Sequence, residues 1–123
     1  MSPFISFTVP ALLLAVALHA QARPVVCHVD YGGETRRIAA RPVASPYAVP
    51  AVEIGSYFLF RLVVEADGTA KTYVQANRDD LGPVPLHQAT FPPRRPRTGP
   101  HGFSGLHFVY EPVRDGELKF WCE

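Results

Sequence analysis

The sequence predicts an all-β fold, a small β-sandwich of about seven short strands, carried on an exported chain. Three observations predict it. Apolar residues alternate with polar ones at a period of two in several segments, as strands with one buried face require. Two Asp-Gly pairs, Asp67-Gly68 and Asp115-Gly116, separate such segments, and Asp-Gly suits the tight turn whose twist matches a hairpin. The two cysteines, Cys27 and Cys122, both fall on inward-facing positions of terminal strands.

The first 22 residues read as a signal peptide, with the uninterrupted apolar run Ala11 to Leu18 followed by Ala20-Gln21-Ala22, the small-x-small pattern of a cleavage site. Counted from Phe4 to Leu18 and broken by Pro10, the run is shorter than the roughly 20 residues a membrane span needs. No Lys or Arg precedes it, so its leading charge is the α-amino group alone. Residues 23–123 are then expected to form one domain around one core.

Within that domain Val25, Cys27, Val29 and Tyr31 share one face of the first strand. Gly32-Gly33 turns the chain into a second strand, Thr35 to Ala40. Pro42, Pro46 and Pro50 forbid an interior strand or helix across 41–50. From Tyr57 to Glu65 every even position is apolar, and Ala70 to Ala76 is its return strand across the Asp67-Gly68 turn. Residues 77–85 are predicted to be a loop and His87 to Phe91 a short strand. Four prolines and two glycines make 91–102 an irregular exposed loop. Leu106, Phe108 and Tyr110 share one face of the next strand, and Leu118, Phe120 and Cys122 one face of the last. The pattern suits a sandwich of Greek-key, loosely immunoglobulin-like connection, with a small β-barrel as the alternative. The likeness to immunoglobulin domains is architectural, because Trp121, the single tryptophan, adjoins the second cysteine and falls on the opposite parity, where an immunoglobulin domain packs its tryptophan on the bridge.

Two cysteines in an exported chain imply one disulfide, Cys27–Cys122. In the chain-entropy description, closing a loop of that length contributes about 4–5 kcal/mol. The formal net charge is +1, so no bulk field draws the protein to nucleic acid or to anionic lipid. Arg outnumbers Lys and Ala and Pro are abundant, a bias of GC-rich bacterial genomes; the expected location is therefore periplasmic or secreted.

The opening Cys27-His28-Val29-Asp30-Tyr31-Gly32-Gly33-Glu34-Thr35-Arg36-Arg37 and the ending Phe108-Val109-Tyr110-Glu111-Pro112-Val113-Arg114-Asp115-Gly116-Glu117-Leu118 resemble small exported proteins of proteobacteria. The resemblance implies an exported single domain and brings no catalytic residues with it.

Few residues point to chemistry. The sequence holds no phosphate-binding loop, zinc-finger spacing or EF-hand, and Gly102-Phe103-Ser104-Gly105 is not a nucleophile elbow, so no enzymatic activity is expected. His87, His101 and His107 are candidate ligands for copper or zinc if the loop at 91–102 folds back and brings three imidazoles together. His28 and Asp30 share the outer face of the first strand and can hydrogen-bond each other or share a metal. Arg94, Arg95 and Arg97 form a basic cluster stiffened by prolines, suited to an anionic partner. Trp121 and Tyr73 are the outward aromatics expected to contact a glycan or an envelope protein. The leading expectation is a non-catalytic binding or interaction module without a cofactor; the alternative is a periplasmic copper- or zinc-binding protein.

Overall fold

In the computed structural model the described residues are 2–8, 10, 23–112 and 115–123; most of the expected signal peptide lies outside them. Among these residues nine strands follow one another: β1 (Val25–Tyr31), β2 (Glu34–Ala40), β3 (Pro42–Val43), β4 (Val52–Ile54), β5 (Phe58–Glu65), β6 (Ala70–Arg78), β7 (Gly82–Phe91), β8 (His107–Tyr110) and β9 (Glu117–Cys122), with one short 3-10 turn at Pro46–Ala48. They form two packed sheets. The first has the order β2-β1-β9-β8, and the second β3-β5-β6-β7 with β4 also paired to β5. This is the sandwich the alternation predicts, and it does not close into a barrel. The strands beyond seven are the short pieces β3 and β4, which share the outer side of β5.

Burial follows the predicted parity on most strands. Phe58, Phe60, Leu62 and Val64 of β5, Val29 of β1, and Leu118 and Phe120 of β9 are all inside, with the aromatic rings of Phe60 and Phe120 meeting edge to face at 5.2 Å across the two sheets. Fully burying each such side chain contributes about 1.5–3 kcal/mol. At the hairpin between β5 and β6, Gly68 takes φ 93° and Asp67 Oδ1 accepts the Thr69 N–H at 2.9 Å, so each residue of the Asp-Gly pair has a distinct task. The disulfide joins direct register partners: Cys27 of β1 lies opposite Cys122 of β9, and both are wholly buried.

Two expectations need correction. Residues 77–85 are mostly strand, since β6 runs on to Arg78 and β7 begins at Gly82. Pro83 and Pro85 are tolerated there because β7 is an edge strand, where a missing N–H costs no ladder bond. A bulge between Val74 and Gln75 resets the pairing around them. On β8 the apolar triplet faces solvent. Pairing with β9 sets His107 opposite Phe120 and Val109 opposite Leu118, so those two residues point inward. Leu106, Phe108 and Tyr110 are 37, 47 and 58 % exposed.

Candidate functional site

β8 covers only part of β9. Beyond Phe120 its place beside β9 is taken by the loop at 102–104, which attaches to the backbone of Cys122. Gly102 forms a parallel bridge with Cys122, the Phe103 N–H donates to Cys122 O at 3.1 Å, and the Cys122 N–H donates to Ser104 Oγ at 2.7 Å. Gly102 has φ 61° and lies so close that a Cβ would meet Cys122 O at 2.2 Å, so only glycine serves here. Ser104 Oγ in turn donates to Gly105 O at 2.8 Å. That hydroxyl therefore serves as a structural clasp and contacts neither His101 nor His107.

The clasp sets His101 beside Trp121. The indole stacks on His28 of β1 with ring centroids 4.2 Å apart and an interplanar angle of 19°, while His101 meets it edge-on at 5.9 Å. His28 Nε2 contacts the Glu123 carboxylate at 3.2 Å. Asp30 accepts a hydrogen bond from Thr35 Oγ1 instead of from His28.

The three candidate metal ligands are divided between two places. His87 of β7 and His107 of β8 face each other across the gap between the sheets, their rings 5.2 Å apart and edge to face. His107 stacks on Phe120 at 4.9 Å and its Nε2 lies 3.0 Å from Ser104 O. His87 Nδ1 is buried with no hydrogen-bond partner. Burial, with a smaller contribution from the charge of neighbouring His107, pushes the His87 imidazole below its ordinary pKa. His101 sits with Trp121 instead, because the loop folds onto the end of β9 and not into the gap. Among the described residues no group of three His, Cys, Asp or Glu side chains could hold a metal ion.

The arginine cluster is likewise split. Arg95 donates to Gly68 O and to Pro92 O, and its guanidinium lies 4.8 Å from the centroid of the Phe103 ring, so it serves to hold the loop. Burial lowers its pKa from the usual arginine value. Arg94 is exposed. Arg97, whose Nε donates to Gly99 O at 3.4 Å, joins Arg23 and Arg37 around a cavity of about 430 Å³, lined also by Pro24, Val26 and Glu123. Sequence reasoning missed Arg23 and Arg37, which lie far from Arg97 along the chain; only the pairing of β1 with both β2 and β9 brings the three together.

Tyr73 and Trp121 do not form one patch. Both point outward, but from different sheets, so they lie on opposite faces of the sandwich. One face of Tyr73 is already occupied by the Arg61 guanidinium, 4.5 Å from the ring centroid. The outer face of the first sheet therefore carries three adjoining features. These are the exposed apolar row on β8, the His28–Trp121–His101 aromatic group, and the cationic cleft. Compared with protein-family models, curated proteins and solved structures, the chain matches none.

Proposed function

We propose that this protein is an exported, non-catalytic binding module of the bacterial envelope, periplasmic or secreted, that engages a partner through the outer face of its first sheet. The observation that carries this reading is the row Leu106, Phe108 and Tyr110, an apolar strip turned to solvent along the edge strand β8. Exposed apolar strips on a small domain mark contact surfaces. The other edges are blunted: β7 carries Pro83 and Pro85, β2 carries Glu34, Arg36 and Arg37, and β3 and β4 are two and three residues long. Edge strand β8 lacks such charges and prolines and presents aromatics, which are enriched at binding hot spots.

The test compares wild type with the double variant Phe108→Ser, Tyr110→Ser in capture from envelope extracts, followed by binding of the purified partner. The variant should lose at least tenfold in affinity. Its melting temperature should hardly move, because substitutions at exposed positions stay within about 0.5 kcal/mol. Equal retention of the partner by both proteins would count against β8 as the contact.

A further inference from the structure

We propose that the cleft bounded by Arg23, Arg37 and Arg97 binds an acidic saccharide, a sugar ring bearing a carboxylate or a phosphate; this rests on the outer face of the first sheet being a binding surface. Three arginines line the cleft from three places in the chain: just before β1, from β2, and from the loop after β7. Among the described residues none of the three has a carboxylate within ion-pair distance. The carboxylate that does line the cleft, Glu123, is directed to His28. Three cations outnumber the carboxylate that lines the cleft, and an anion relieves the excess positive charge while accepting forked hydrogen bonds from guanidinium planes. The volume, about 430 Å³, suits a small ligand.

The neighbours of the cleft point to a sugar. Arg37, His28 and Trp121 are successive register partners across β2, β1 and β9 on one face. Two strand spacings separate Arg37 from Trp121, about 10 Å, so an anion held by Arg37 places the attached rings along the His28–Trp121 group. Aromatic surface beside a charged anchor suits a ring with an apolar face and polar edges. A lipid would instead need apolar side chains at the rim for insertion. The exposed ones, Phe108 and Tyr110, stand on β8 at the other side of the sheet, with β9 and β1 between them and Arg37. The loop carrying Arg97 is fixed in advance by Pro96 and Pro100 and by Thr98, whose N–H and hydroxyl both reach Gly102 O, so little ordering remains to be done on binding.

Calorimetric titration of the full domain tests this with tetragalacturonate, its full methyl ester, glucose 6-phosphate, glucose, inorganic phosphate and phosphatidylglycerol vesicles as probes. Tetragalacturonate or glucose 6-phosphate should bind, and the matching neutral sugar should not. Arg37→Gln and Arg97→Gln, both at exposed positions, should each weaken that binding about tenfold or more while leaving the melting temperature unchanged. Phe108→Ser with Tyr110→Ser should leave it intact, so loss of the β8 reading and loss of this one are distinguishable. The proposal is overturned if neither acidic sugar binds, if the neutral counterpart binds as well, or if inorganic phosphate or the vesicles bind as tightly. It is overturned equally if the arginine variants titrate like wild type.

Discussion

His87 shows how one buried atom sets a property of the whole domain. Its Nδ1 has no partner, its ring faces His107, and both conditions favour the neutral imidazole. The folded-state pKa is lowered from 6.5 while the unfolded chain keeps the ordinary value. Below that value the unfolded state therefore binds more protons than the folded one, so stability falls with falling pH and levels off below the folded pKa. Thermal melts should show a lower melting temperature at pH 5 than at pH 7.5. In His87→Gln that acid-side decline should shrink, since the amide takes up no proton. An unchanged pH slope in the variant would assign the decline to other groups.

At the scale of elements, the clasp between the 102–104 loop and β9 organises the aromatic group, and Gly102 is its least replaceable part. Gly102→Ala must push Cys122 O away and hold a left-handed backbone, so it should cost more than about 1 kcal/mol. For a domain of this size that lowers the melting temperature by about 4–8 °C or more. The fluorescence of Trp121 should shift as well, because His101 moves with the loop; a variant matching wild type in both would dispense with the clasp. Periodicity made β1, β5 and β9 legible, together with the disulfide, because in each the buried parity is marked by large apolar residues, while β2 and β6 follow from the Gly32-Gly33 and Asp67-Gly68 turns before them. It misled at β7, where prolines are a loop signal in any sequence and a tolerable edge feature only once the neighbours are known. On β8 the more apolar face is the outer one, and only pairing with β9 reveals this. The candidate site was less legible still. His101 and His107 are six residues apart in sequence, yet one joins Trp121 and the other Phe120, and a clasp made by a single glycine and a serine hydroxyl decides which.

For the whole molecule, the pairing of first and last strands is what makes the outer face of the first sheet continuous. β1 and β9 lie side by side only because a connection spanning both sheets returns to its start, and the disulfide holds that return across a sequence separation of 95 residues. Without it the unfolded chain regains the entropy of an open loop, a loss of stability of about 4–5 kcal/mol in the chain-entropy description. Domains of this size are typically stable by only 5–15 kcal/mol, so the bridge supplies a large share of the total. Replacing both cysteines by alanine should therefore shift the denaturation midpoint far down. The binding surface should loosen with it, because His28 and Trp121 stack across the same strand pair. Both cysteines are fully buried, so reductant should reach them only through opening of the domain. The folded protein should resist alkylation under native conditions with or without mild reductant. It should stay unlabelled when denatured without reductant and become labelled at Cys27 and Cys122 once denatured and reduced. Labelling of the denatured, unreduced protein would mean that the two strands are held together by pairing and packing alone.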